Sequence, residues 1–151
     1  MRWPDFAERA PELAGHGWRL LAERHGYAYL ATTAADGSPR VHPVAPIRGE
    51  RGLFVAVGRA SPKLADLRRD PRMALHATVL PPDDEEFTLR GTAREVADPA
   101  ERESAVDGVT DGARLSERLA LFEIDVLAAG WARWSDGTPT RLRWRASNRL
   151  Q

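Results

Sequence analysis

From Tyr27 onward, apolar and polar residues come in short runs, each closed by a turn containing Gly, Pro or Asp. "YAYLATT" (27–33) is rich in β-formers, and "RVHPVAPI" (40–47) reads as a second strand. Asp36-Gly37 between them is a hairpin signal, because glycine takes a positive φ at little cost. Pro43 and Pro46 lack the ladder donor, so the second run belongs at an edge or is distorted, and leaves a face open. "LFVAVG" (53–58), "RMALHATVL" (72–80) and "FTLRGTAREV" (87–96) continue the series. "RLALFEIDVLAAGWARW" (118–134) reads as one long strand bent at Gly130, and "TRLRWRA" (140–146) alternates arginine with Leu142 and Trp144. The total is about seven strand-like runs with short connections, the pattern of a mainly β barrel or sandwich.

The helical signals are fewer. Residues 5–24 carry an apolar face of Leu13, Trp18, Leu20 and Leu21, with Gly15 and Gly17 placed to split it. Ser61 is a good N-cap and Pro62 a good first-turn residue. Leu64 and Leu67 then bury one side, and Asp70 before Pro71 ends the helix. Asp98 and Pro99 open another short helix. "PPDDEE" (81–86) reads as a polar loop in which the four carboxylates from Asp83 to Glu86 are solvated.

The 151 residues suit one domain. A formal net charge of zero argues against a general binder of nucleic acid or anionic membrane. The absence of cysteine excludes disulfides, thiolate nucleophiles and cysteine-bound zinc. The first residues are broken by Pro4 and Pro11 and do not read as a signal peptide, and no apolar run is long enough to span a bilayer, so the expected place is the cytoplasm.

One chemical singularity stands out. Lys63 is the only lysine, set among 21 arginines, and it follows Ser61-Pro62 directly. A helix N-terminus exposes unpaired N–H groups and partial positive charge, so it attracts anions. The Ser61 hydroxyl and the Lys63 ammonium add to that, and Arg40 opens the strand after the Asp36-Gly37 turn. An arginine fork beside a lysine point charge suits a phosphate monoester. Taken alone, the cap and first-turn lysine are more often local structural features than ligands. Arg68, Arg69 and Arg72 read as a solvated face, with Arg69 and Asp70 offsetting one another. Trp131, Trp134 and Trp144 fit core or dimer interface better than a cover for an aromatic ligand. His42 and His76 are strand histidines, with no spacing that singles them out as metal ligands.

"ATTAADGSPR" followed by "SPKLADLRRDPRMAL" resembles the pyridoxamine 5'-phosphate oxidase-like, flavin-binding split-barrel family, over about Tyr27 to Val96. The resemblance implies an antiparallel, Greek-key-like split β-barrel with an N-terminal helical segment and short internal helices, spanning residues 1–151 as one flavin-binding domain. It implies a homodimer with FMN at the interface. Arg40, Ser61 and Lys63 would hold the phosphate; the backbone of Val41, His42, Pro43 and Val44 would face the flavin ring; Ala56 and Val57 would line the same groove. The implied activity is that of a flavin-dependent oxidoreductase acting on a small organic substrate, with no catalytic acid or base named. Pro62 stands where the vitamin-forming oxidases tend to have arginine, and Glu85-Glu86 where they place a glutamine, which leaves a weaker FMN grip, a different flavin-like cofactor or no cofactor open; their C-terminal substrate-binding signature is not evident either, so pyridoxal phosphate synthesis is not expected. A deazaflavin-dependent reductase and a non-enzymatic flavin or haem binder remain open as alternatives.

Overall fold

The computed structural model describes residues 1–24, 26–79, 84–106 and 116–147. Helices α1 (Trp3–Arg9) and α2 (Pro11–Trp18) are followed by a π-helical turn at Arg19–Glu23. The strands are β1 (Ala28–Thr33), β2 (Pro39–Val44), β3 (Pro46–Gly49), β4 (Gly52–Gly58), β5 (Arg72–Ala77), β6 (Glu85–Glu95), β7 (Leu119–Ser135) and β8 (Thr138–Arg145). Helix α3 (Pro62–Arg69) links β4 to β5, and α4 (Pro99–Val106) follows β6. The protein is mainly β, a split barrel in which every strand pair is antiparallel.

Strands pair in the order β2-β1-β5-β6-β7-β4-β3, with β8 also on β7. The run 40–47, expected as one strand, is two: β2 and β3 lie at opposite ends of this path and are joined by Ala45 alone. A single residue cannot cross a flat sheet, so the sheet must curl until its two ends meet. Pro43 and Pro46 are accordingly edge-strand prolines, as their missing donors require.

The split arises on β7. One of its edges is shared, with β4 pairing Leu119–Glu123 and β8 pairing Ala128–Ser135. Leu127 falls between the two sets, and there the register against β6 shifts at Arg90/Gly91. The irregularity expected at Gly130 is thus at Leu127; Gly130 itself pairs regularly with Thr88 and Arg143. A bulge of this kind bends a strand and re-aims its partners.

The core fills the barrel with Leu30, Leu53, Val55, Leu75, Phe87, Leu89, Phe122, Ile124 and Val126. Trp3, Phe6, Leu13, Leu20 and Leu21 join it from the N-terminal helices. Each such side chain stabilises the fold by roughly 1.5–3 kcal/mol through removal from water. The helical segment breaks at Ala10-Pro11, where Ala10 leaves helical geometry, and not at the glycines. Gly17 stays helical because it meets the Phe87 ring: an added Cβ would lie 2.5 Å from Phe87 Cζ. Glu85 and Glu86 begin β6 and are not loop residues; Glu85 pairs with Arg19 at 2.9 Å. Of the rest of the expected loop, Asp84 is exposed and outside the strand, as expected, and residues 81–83 lie outside the described residues.

Candidate functional site: a cationic cluster at the start of α3

Local sequence sets this site. Ser61 has extended φ and ψ and its Oγ accepts from Lys63 N at 3.4 Å, the geometry of an N-cap. Pro62 occupies the first helical position, and Asp70, extended before Pro71, closes the helix. Leu64 and Leu67 are buried and seat α3 on the barrel. Across from it, the hairpin positions β2. Gly37 takes φ +84°, and Asp36 accepts from the Ser38 backbone at 3.0 Å and its hydroxyl at 2.6 Å. These bonds hold the Asp36 carboxyl below the ordinary aspartate range.

Asp66 connects the two elements. Its carboxylate is buried, accepts from Thr32 Oγ1 at 3.0 Å, and lies 3.1 Å from Arg40 and 3.3 Å from Arg69. Arg69 also donates to the Thr33 carbonyl. The network ties α3 to β1 and β2, and it holds Arg40 against the helix. Sequence reasoning missed Asp66. The available signal was its position three residues after Lys63 and three before Arg69, which puts all three on adjoining helix positions.

Lys63 is partly buried, and its ammonium has no ion pair or hydrogen bond among the described residues. Burial holds it below the ordinary lysine value. His42 stands beside this cluster. Burial, then the Lys63 charge, then the Arg40 charge hold its imidazolium below the ordinary histidine value, against a smaller opposite pull from Asp66. His42 Nε2 is buried and has no hydrogen-bond partner among the described residues.

The neighbouring arginines are balanced elsewhere. Arg68 donates to Glu95 at 2.7 Å and 2.8 Å, and Arg72 pairs with Asp70 at 2.6 Å. Arg69 makes its direct ion pair with Asp66, at i, i+3 spacing on the helix, while its charge also helps to hold the Asp70 carboxyl down, as the sequence had led us to expect. Asp70, held by Arg72, has its carboxyl lowered to about 2.

The structure brings Arg40, His42, Ser61 and Lys63 together and distributes the remaining candidates. Val44 and Val57 are buried in the core, and Ala56 is half-buried beside Val57. Val41, 60% exposed, and Pro43 point to the outer face, where Pro43 is paired with the 45%-exposed Tyr29. Trp131 and Trp144 pack against the N-terminal helices: Trp131 stacks on His16 at 4.1 Å, and Trp144 lies 4.9 Å from Phe6. His76 is occupied by the Ala77 carbonyl at 2.7 Å. Among the described residues no cluster of His, Asp or Glu is placed to hold a metal ion. No helix among them is long and apolar enough to cross a membrane. A separate groove of about 360 Å³ lies over β6, β7 and β8, lined by Thr88, Arg90, Arg143 and Arg145 among others; no sequence motif pointed to it.

The family model for pyridoxamine 5'-phosphate oxidase matches residues 17–129, a span that contains β1 to β6, α3 and the whole cationic cluster. The chain belongs to that family. Solved structures share the fold of this pyridoxamine 5'-phosphate oxidase family member at low identity. One is a protein of Clostridium acetobutylicum related to general stress protein 26 of B. subtilis, of the pyridoxinephosphate oxidase family; it is 14% identical, with 92% of this chain and 94% of that one covered at a TM-score of 0.64. An F420 reductase is 19% identical over 75% of this chain and 95% of that one, with a TM-score of 0.55. A heme binding protein from Mycobacterium smegmatis is 18% identical over 82% of this chain but only 55% of that one, with a TM-score of 0.61. No curated protein matches the sequence. These likenesses are likenesses of fold; within the family, the chemistry has to be argued from the site.

Proposed function

We propose that this chain binds FMN, with the phosphate at the N-terminus of α3, and acts as a flavin-dependent oxidoreductase on a small organic substrate. The observation that carries the reading is a charge imbalance. Beside α3, Arg40 and Arg69 share the single carboxylate of Asp66 and Lys63 pairs with no acid among the described residues, while Arg68 and Arg72 have their own acids. The excess is two positive charges, and it sits at the N-terminal end of α3, where the helix dipole is positive as well. A phosphate monoester carries close to two negative charges at neutral pH.

The residues present fit such a group on three counts. Among the described residues Lys63 has no counter-ion and His42 Nε2 has no partner, and the Ser61 hydroxyl stands at the start of the helix. FMN, when bound, supplies hydride or electron transfer at its ring. The protein's part is to hold the phosphate with Lys63 and Arg40, to keep Arg40 aimed through Asp66, and to lay β2 along the cofactor. We further propose that two copies of the chain enclose the cofactor. The outward face of β1 and β2 supports this, since Tyr29, Val41 and Pro43 there are exposed and apolar in character.

The test is an absorbance spectrum of the purified protein, repeated after excess FMN has been added and the free portion removed. A retained two-band flavin spectrum at one FMN per chain is expected. A protein that releases all its FMN overturns the reading, and tight retention of a deazaflavin in its place would make the chain a deazaflavin-dependent reductase.

A further inference from the structure

His42 and Arg40 stand two residues apart on β2 and so share its inner face. From α3, Lys63 and Asp66 act on His42, and Asp66 is itself engaged by Arg69. Strand β4 has no ionisable residue, and the one on β1, Tyr29, belongs to the outward face opposite Pro43. The imidazole therefore faces two cations and one carboxylate, and its buried Nε2 has no acceptor. A polar nitrogen left dry costs free energy that a ligand can return. In this setting the imidazolium is disfavoured while the pocket lacks an anion. A dianion beside Lys63 and Arg40 cancels the excess positive charge that disfavours the imidazolium and offers an oxygen to Nε2.

We propose that His42 makes the pocket selective for a phosphate monoester, taking up a proton from solvent as the dianion binds and donating from Nε2 to a phosphate oxygen. The proposal rests on the phosphate-binding reading above and adds a selectivity to it. A monoester loses its second proton near pH 6 and is close to a dianion above neutrality. A phosphodiester carries one charge per phosphorus, and an alcohol carries none. Only the monoester carries enough charge to cancel the excess in full and so lift the electrostatic penalty on an added proton.

Calorimetric titration at pH 7.5 in two buffers of different ionisation enthalpy reads the proton directly. The probes are FMN, FAD, which has no terminal monoester, and riboflavin, which has no phosphate. Wild type should take up a proton count approaching about one per FMN, with affinity falling by up to about tenfold per pH unit above neutrality, as linkage requires. Riboflavin should take up none and FAD much less than FMN. His42→Gln should bind FMN more weakly at pH 7, with the pH dependence flattened. The imidazole resonances of wild type, followed with and without FMN, give the same answer without any variant.

FMN bound without proton uptake overturns the proposal and leaves the phosphate reading standing. So does a His42→Gln protein that keeps the wild-type uptake, or an equal uptake with FAD. FMN that fails to bind wild type at any pH overturns both.

Discussion

Replacing Lys63 by methionine should move affinity and stability in opposite directions. Methionine keeps the unbranched apolar stem and removes the ammonium. In the cofactor-free protein that ammonium has no partner among the described residues, and burial holds it below the ordinary lysine value. The unfolded chain thus binds this proton more readily than the folded one. The cost is present in full at neutral pH and is relieved only as the pH rises towards the ordinary lysine value of 10.5. Lys63→Met removes that cost, so the urea midpoint of the apo protein should hold or rise. A charge-assisted contact to phosphate is worth about 1.5–3 kcal/mol. Its loss should weaken FMN about 10–150-fold, read by flavin fluorescence titration on the same preparation. Unchanged FMN affinity would refute the assignment of Lys63. So would an apo protein destabilised by more than ~1 kcal/mol, beyond the range of ordinary surface changes, because that would show a structural partner for the ammonium.

The other substitutions test the scaffold. Asp66→Asn should cost about 2–3 kcal/mol in urea unfolding, since a buried carboxylate serves Thr32, Arg40 and Arg69 at once; we keep the figure below the upper range for buried pairs because both guanidinium groups are about one-third exposed. A loss under ~0.5 kcal/mol, no more than a neutral surface substitution gives, would mean the network does not hold α3 to the hairpin. Gly91→Ala should cost more than about 3 kcal/mol, because the new Cβ would lie 2.0 Å from the Asp125 carbonyl oxygen, within the β7 backbone. Scanning calorimetry should show a fall of more than about 6 °C for a domain of this length; melting within a degree or two of wild type would show that the β6–β7 ladder gives way cheaply.

What the sequence shows and what it hides divide along a physical line. The start of α3 was legible because Ser61, Pro62 and Lys63 settle it among themselves, and its end because Asp70 precedes Pro71. The Asp36-Gly37 hairpin was legible for the same reason: the turn needs one positive φ and one carboxylate, both supplied within three residues. Whatever depended on barrel closure was not. Residues 40–47 look like one strand because nothing local marks Ala45 as the place where the chain leaves one end of the sheet for the other. Gly17 looks like a helix breaker until Phe87, seventy residues on, is seen to need its bare face.

The same line runs through the site. The cap and the lone lysine are local, and so are visible. Which arginines are spent is decided by acids brought in from elsewhere, as when Glu95 on β6 takes Arg68. That pairing carries the functional argument. Of the five cations on or beside α3, the fold neutralises Arg68 and Arg72 with acids of their own, holds Arg40 and Arg69 against the single Asp66, and leaves Lys63 without an anion. An unneutralised, partly buried ammonium lowers the stability of the free protein. It stands near a buried nitrogen, His42 Nε2, that lacks a partner among the described residues. Two unmet demands for the same kind of ligand, at one capped helix start, are better accounted for by an anion that fills the pocket than by two separate defects of packing.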